Sequence, residues 1–140
     1  MDLVLAAVDG SEPARRAADV AAEVAGKMGA RLLVLNVVEP VWVPVGDFGQ
    51  ETPVFQQELD RDSRKLVEGE AARLSRAGLA VEALSAEGAP ALAIADTAKL
   101  RHADLVVLGS RGLGAVGRFL VGSVADRVLH LCEAPVLVVH

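Results

Sequence analysis

Short apolar runs alternate with longer amphipathic stretches along this sequence. The runs are rich in Leu and Val, and the first is almost continuously apolar, as expected for a parallel strand that is covered on both faces. Glu82 and Glu87 interrupt the third run, which indicates a strand at the edge of a sheet. The pattern predicts five strands, at residues 3–8, 31–38, 80–86, 104–108 and 134–140.

The amphipathic stretches predict four helices. In the first, Ser11 is the expected N-cap, and Pro13 lies in the first turn, where its missing N–H does no harm. Gly29 is expected to end this helix. The other three helices are predicted at residues 54–76, from Pro90 onward, and over residues 121–132. One inward face is expected in the first helix, formed by Ala14, Ala17, Ala18, Ala21, Ala25 and Met28.

A long connection follows the second predicted strand. Residues 39–53 contain three prolines and two glycines, a composition that excludes regular structure, so the segment is predicted to be a loop. Loops of this length in compact domains are often lids or binding segments. We interpret Trp42 and Phe48 as hydrophobic cover for the sheet edge, and a lid over a ligand is the alternative.

Strands that alternate with helices indicate the α/β class: a single doubly wound five-stranded parallel sheet with helices on both faces, in one domain of residues 1–140. Strand order 2-1-3-4-5 would open a crevice where Asp9 meets Glu87 and Gly88. Strand order 3-2-1-4-5 would open it between strands one and four, where Asp9 meets Gly109. Ligands bind where the order reverses, and we predict order 3-2-1-4-5 because it brings Asp9 to an unusual cluster of glycines.

Composition excludes several classes of function. The formal net charge is -5, the pI is near 5.1 and only 3% of the residues are aromatic, which disfavours a nucleic-acid surface. No apolar run approaches the ~18 residues that cross a bilayer, and no basic stretch precedes the first apolar run, so a cytoplasmic protein is expected. The single Cys132 is expected in the core. His102, His130 and His140 lack ligand spacing, and no metal site is predicted.

The segment GSRGLGAVGRFLVGS, residues 109–123, contains five glycines and two arginines but no acidic residue. Within it, Gly112, Gly114 and Gly117 match the GxGxxG pattern of dinucleotide-binding folds. That motif should follow the first strand and precede an acidic residue about 20 positions later, whereas this one follows the fourth strand and leads to VLVVH. A P-loop is also absent, because the sequence contains no GxxxxGK[ST].

A different spacing explains these glycines better: Gly109, two residues, Gly112, nine residues, then Gly122 and Ser123. The fourth strand would end at Gly109, and Gly122 with Ser123 would form the start of the fourth helix. Unpaired N–H groups and the partial positive charge of a helix start favour an anion. A glycine there lets a phosphate approach the backbone, and Arg111 and Arg118 would add positive charge.

The pattern G-x2-G-x9-G-[ST], together with VDGS after the first strand and the terminal APVLVVH, resembles the universal stress protein family, in particular its ATP-binding branch. The resemblance spans the whole chain. It implies a homodimer through strand five and ATP as ligand, with Mg²⁺ or Mn²⁺ held through the phosphates. The sequence departs from this branch at Ala125, where members often carry a second hydroxyl residue that contacts phosphate.

The resemblance also implies roles for individual residues. Asp9 would accept hydrogen bonds from the ribose hydroxyls, Ala7 and Val37 would flank adenine, and main-chain groups near Leu108 would read its edge. The remaining residues of the expected site would line the ribose and the phosphates: Gly109, Arg111, Gly112, Gly122, Ser123 and Val124.

Structural interpretations of single residues stay open. Asp9 could start the turn before the first helix, and Ser123 could be an ordinary N-cap with Asp126 three residues later. At the level of function, an ATP-binding signalling module is favoured over a nucleotide-free dimeric scaffold or a weak ATPase or nucleotidyl-transfer enzyme. No pair of residues is arranged as nucleophile and base, which disfavours the enzyme.

Overall fold

The computed structural model describes residues 1–40, 43–45, 48–50, 53–75, 78–111 and 121–140. Over these residues the chain forms seven strands and four helices, and every predicted element is present with its ends shifted by at most two residues. In chain order they are β1 (Leu3–Ala7), α1 (Glu12–Met28), β2 (Arg31–Val38), β3 (Val43–Val45), β4 (Phe48–Gln50), α2 (Pro53–Leu74), β5 (Val81–Glu87), α3 (Pro90–Leu100), β6 (Leu105–Gly109), α4 (Ser123–Leu131) and β7 (Val136–Val139).

Five of the strands form one parallel sheet in the order β5-β2-β1-β6-β7. Numbered among these five strands alone, this is the predicted order 3-2-1-4-5, and the predicted edge position of the third strand is also confirmed. Ala7 at the end of β1 pairs with Leu35 on one side and with Leu108 on the other. The chain leaves β1 toward β2 and later returns to β6, so the strand order reverses between β1 and β6.

The predicted loop between β2 and α2 was wrong in part, because β3 and β4 form a short antiparallel pair. Pro44 pairs with Gly49 in this register. A two-stranded pair tolerates a proline because each strand keeps one edge that needs no ladder hydrogen bond. Trp42 lies outside the described residues, and the proposed cover or lid therefore stays a prediction.

Two apolar layers cover the two faces of the sheet, as predicted. Side chains of β1 alternate between them, with Val4 in the layer under α1 and α2 and Leu5 in the layer under α3 and α4. Both are fully buried, which explains why the strands read as continuous apolar runs. Among the helices that the structure describes, none has both the length and the apolar character to cross a membrane.

Helix α1 begins and ends at the predicted residues. The Ser11 hydroxyl accepts a hydrogen bond from the Ala14 N–H at 3.3 Å, and Gly29 ends the helix in the left-handed conformation. Its alanines pack against the sheet, but the predicted inward position of Met28 was wrong, since that side chain is 53% exposed. Met28 lies in the last turn of α1, where only the alanine positions remain buried. Buried alanines of α1 are Ala14, Ala17, Ala18, Ala21 and Ala25.

Asp104 joins the amino ends of β1 and β6. Its Oδ2 accepts hydrogen bonds from the backbone N–H of Asp2 at 2.6 Å and of Leu3 at 3.0 Å, and its own N–H donates to the Leu3 carbonyl. These donors stabilise the ionised carboxylate and hold the pKa of Asp104 below its ordinary value. The side chain of Asp104 therefore connects the amino ends of β1 and β6.

We expect Asp104→Asn to flatten the acid side of the stability profile. Because the folded pKa is below the ordinary value, the stabilisation is present above about pH 4 and disappears as the pH falls through the folded pKa. The variant should therefore melt below the wild type near neutral pH and lose less of its melting temperature in acid. Thermal melting followed by circular dichroism between about pH 2 and 7 measures this difference.

Asp96→Asn is the matched control, because it removes the same charge from an exposed position on α3. An Asp104→Asn profile that keeps the full wild-type decline in acid would contradict the role assigned to this carboxylate.

Candidate functional site

The residues predicted to surround adenine lie together at the carboxyl edge of the sheet. Ala7 and Leu108 are paired across β1 and β6, and Val37 lies two positions beyond Leu35, the other partner of Ala7. All three side chains belong to the layer on the α3 and α4 side. Leu108 is buried, whereas Ala7 and Val37 are half-buried. The half-buried side chains of Ala7 and Val37 thus lie on the same face of the sheet, next to the point between β1 and β6 where the strand order reverses.

Asp9 lies in the turn between β1 and α1. Its Oδ1 accepts a hydrogen bond from the Ser11 N–H at 2.9 Å, and Gly10 between them has φ of 87°, which favours glycine. The structural interpretation of Asp9 as the residue that starts this turn is therefore confirmed. The carboxylate is half-buried beside the start of α1 and next to the end of β1.

Gly109 ends β6 against the start of α1. A Cβ at this position would lie 2.9 Å from the Pro13 carbonyl carbon and 3.0 Å from the Ala14 nitrogen, closer than real Cβ contacts. The glycine is thus needed for the close approach of a strand to a helix backbone. Sequence analysis assigned Gly109 to a ligand, and the structure adds a packing requirement that local sequence does not reveal.

Helix α4 starts at Ser123, with Gly122 as its N-cap. The Gly122 N–H donates to the Ser110 carbonyl at 2.5 Å, and the Gly122 carbonyl accepts from the Asp126 N–H at 2.9 Å. The interpretation of Ser123 as the N-cap was wrong, because that residue already belongs to the helix. Gly122 has φ of -62° and ψ of 159°, a conformation open to any residue.

The next three backbone N–H groups of α4 point out of the helix start. Within the described part of the chain, the N–H groups of Ser123, Val124 and Ala125 have no hydrogen-bond acceptor. Such groups carry the positive end of the helix dipole and bind anions. Ser123 and Val124 are exposed, while Ala125 packs into the layer below α4. Three amides, rather than the four of an uncapped helix, remain for a ligand.

Ser110 has a role that sequence analysis missed. It is buried, its N–H donates to the Val139 carbonyl at 2.8 Å, and its carbonyl accepts from Gly122. Ser110 therefore joins β6, β7 and the start of α4. Its position between Gly109 and Arg111 was the only indication in the sequence, because its hydrogen-bond partners Val139 and Gly122 are distant in the chain.

The rest of the predicted site is described only in part. Arg111 follows β6 by two residues and is half-buried. Gly112 and Arg118 lie outside the described residues, so their predicted roles remain predictions. In the ranges that the structure describes, no group of three or more His, Cys, Asp or Glu side chains could hold a metal ion.

Comparison with known proteins identifies the family. The model of the universal stress protein family matches residues 1–140. The chain belongs to the universal stress protein family. A universal stress protein from Thermus aquaticus is 41% identical over 138 residues, which cover 98% of this chain and 97% of the relative.

Solved universal stress proteins share the fold. The protein UspA from Lactobacillus plantarum has a TM-score of 0.86 and 25% identity, covering 99% of this chain and 97% of its own. A universal stress protein described as a complex with cAMP has a TM-score of 0.75 and 27% identity, with the same coverage. The predicted family and the predicted fold of this universal stress protein are both confirmed.

We expect Gly109→Ala to destabilise this universal stress protein, because the added methyl group meets backbone atoms of α1 rather than a flexible side chain. The free energy of unfolding should fall by about 1–3 kcal/mol, the usual cost of overpacking. The midpoint of urea unfolding measures the change.

Gly26→Ala is the matched control, since a Cβ at this position in α1 meets nothing within 4 Å. Alanine should raise the free energy of unfolding there by about 0.5–1 kcal/mol. Equal stability of the Gly109→Ala variant and the wild type would show that the close contact is not a constraint.

Proposed function

We propose that this universal stress protein binds ATP at the carboxyl edge between β1 and β6 and acts as a nucleotide-dependent binding or signalling module in the stress response. One observation carries the proposal. Behind a glycine N-cap, the N–H groups of Ser123, Val124 and Ala125 have no acceptor among the described residues, at the point where the strand order reverses. The cAMP complex of a 27% identical neighbour supports an adenine nucleotide as the ligand.

The proposed adenosine position follows from the two sides of the crevice. Ala7 and Val37 offer half-buried apolar surface for the faces of adenine, and main-chain groups near Leu108 would contact its edge. Asp9 would accept hydrogen bonds from the ribose hydroxyls. Its side chain already has a set position, because Oδ1 accepts from the Ser11 N–H. A carboxylate that is oriented before binding loses less conformational entropy when the ligand arrives.

The proposed phosphate position lies over the start of α4. The backbone conformation of Gly122 does not require glycine, but the lack of a side chain there would let a phosphate come close to the backbone amides. The Ser123 hydroxyl would donate to a phosphate oxygen, and Gly109, Arg111 and Gly112 would line the same region. Mg²⁺ or Mn²⁺ would be held through the phosphates, with Val124 beside them.

The glycine spacing resembles that of the ATP-binding branch, and we propose ATP as the ligand on this resemblance. Residues 1–140 would form one nucleotide-binding domain that works in the cytoplasm, and hydrolysis would be slow at most. A nucleotide-free scaffold is the second candidate. Two observations favour it: Gly109 has a packing reason within the chain, and the Gly122 N–H is already bound to Ser110.

We expect Gly122→Val to abolish ATP binding while the fold is retained. Its backbone angles suit valine, but the branched side chain would fill the space over the amides of α4. Valine is also a poorer N-cap than glycine, so the free energy of unfolding should fall by about 1 kcal/mol. Isothermal titration calorimetry with ATP and Mg²⁺ measures binding, and circular dichroism checks the fold.

Gly69→Val is the control, because a Cβ at this exposed position on α2 meets open space far from the site.

Nucleotide released from the purified wild type by acid should be an adenine nucleotide in near-stoichiometric amount. Wild-type protein that is empty and does not bind added ATP would favour the scaffold. Repeated turnover of ATP to a transferred product would favour the enzyme.

We further propose a homodimer through β7. This strand lies at the edge of the sheet, and Leu137 is 37% exposed on it. Val124 and Leu131 on the neighbouring α4 add exposed apolar surface. An edge strand with apolar neighbours is a pairing surface, and a second copy of the chain would cover it.

Leu137→Glu should shift the protein from dimer to monomer, because a carboxylate would be buried without a partner in the interface. Multi-angle light scattering at micromolar concentration measures the mass. Leu92→Glu, at an exposed position on α3, is the control and should leave the dimer intact. Wild-type protein that is monomeric in this measurement would refute the dimer.

A further inference from the structure

Three polar side chains form a partly buried hydrogen-bond network beside the turn that carries Asp9. The Asn36 Nδ2 donates to the Val8 carbonyl at 2.6 Å, and the Ser63 hydroxyl donates to the Asn36 Oδ1 at 2.7 Å. The hydroxyls of Ser63 and Ser85 are 2.6 Å apart. We call Asn36, Ser63 and Ser85 the Asn36 network. It connects β2, α2 and β5 to the end of β1.

The direction of each hydrogen bond in the Asn36 network follows from chemistry. A carbonyl oxygen only accepts, so the Asn36 atom that faces Val8 is the NH₂ group, and Oδ1 faces Ser63. Ser63 has one hydroxyl proton, which it gives to Asn36. Ser85 is therefore the donor to Ser63. Only one arrangement satisfies all three side chains.

The Asn36 network adjoins an apolar layer, with Ser63 buried and Asn36 and Ser85 half-buried. Val34 and Val38, the neighbours of Asn36 on the same face of β2, are buried, and so is Ser63 on α2. A polar group in such a place destabilises the protein unless it is hydrogen-bonded, and a branched apolar side chain would fill the same space without that requirement. The network is satisfied, so its contribution lies in fixing the geometry of the groups it joins.

Val8 is held from two sides. Its N–H donates to the Leu35 carbonyl at 2.8 Å, and its carbonyl accepts from Asn36. Asp9 follows directly, and its Oδ1 accepts from the Ser11 N–H. With Val8 and Ser11 both held, the backbone of Asp9 has little freedom. The side chain of Asn36 thus fixes the carbonyl of the residue that directly precedes Asp9.

The geometry points to Asn36 as a positioning residue for Asp9 at the nucleotide site, and to Ser63 as the residue through which α2 orients Asn36. This inference rests on the proposed function for its ligand, but its structural part concerns the free protein. Asn36 itself would not touch the ligand. It acts on affinity through Asp9, and a change in the packing of α2 would reach the site by the same route.

The first test uses the protein without nucleotide. Asn36→Asp replaces the NH₂ donor by an acceptor of nearly the same shape, so the Val8 carbonyl loses its partner. Exchange of the Ser11 amide hydrogen, followed by NMR, should become about two- to tenfold faster, the range expected for one hydrogen bond. Exchange of the Leu5 amide in the core of β1 should change less. Unchanged exchange at Ser11 would overturn the inference.

If Asn36→Asp does not fold, exchange of the Ser11 amide hydrogen is measured on Ser63→Ala instead. This variant leaves the Asn36 Oδ1 without its donor and should accelerate Ser11 exchange less than Asn36→Asp, with Ser85→Ala smaller again. Ser75→Ala is the matched control directly after α2, since among the described residues the Ser75 hydroxyl donates to the Ala71 carbonyl and is not part of the Asn36 network. An effect of Ser75→Ala as large as that of Ser63→Ala would overturn the assignment.

The second test separates positioning from general destabilisation. ATP affinity is measured by calorimetry for the wild type, Asn36→Asp, Asp9→Ala and the double variant. If Asn36 acts through Asp9, Asn36→Asp weakens binding in the presence of Asp9 and has no further effect in the Asp9→Ala background. An equal loss in both backgrounds would overturn the inference. If the wild type does not bind ATP, the proposed function fails, and Ser11 exchange alone decides the positioning role.

Discussion

The central position of β1 is the constraint on which the rest of the structure depends. Its side chains from Leu3 to Ala6 are almost completely buried, and each edge of the strand pairs with a parallel neighbour. A strand that is closed on both edges and both faces cannot lie at the border of the sheet. The chain must leave it toward β2 and return to it at β6. The crevice at the carboxyl edge is a geometric consequence of that path.

At this crevice the backbone at the end of β6 lies close to the backbone at the start of α1. Gly109 allows the end of β6 to contact the start of α1, and Ser110 then connects β6 to β7 and to the start of α4. The starts of both helices are thereby held beside the reversal point. At α1 the Ser11 side chain caps the helix, whereas α4 begins at a glycine without a side-chain cap. This difference is why we propose the start of α4, rather than that of α1, as the position of the phosphates.

Prediction from sequence succeeded where an element is determined by residues within or next to it. Burial on both faces makes strands continuously apolar, and Ser11 and Gly29 act on their own helix, so the strands, their order and both caps of α1 were predicted correctly. Failures came from pairing and packing contacts that composition does not show. Strands β3 and β4 pair although their composition predicts a loop, and Gly109 is required by Pro13, almost a hundred positions earlier. Neither contact can be recognised from composition or periodicity.

The roles of Ser110 and Asn36 escaped prediction for the same reason, and together they show how the site is divided between the two faces of the sheet. In the proposed site, apolar surface would come from the α3 and α4 side, while the hydrogen bonds that hold Val8 beside Asp9 come from the α1 and α2 side. Asp9 follows β1, whose side chains alternate between the two faces of the sheet. It can therefore contact groups from both faces. If both proposals hold, substitutions under α2 would alter the affinity of this protein for its ligand without changing any residue that touches the ligand.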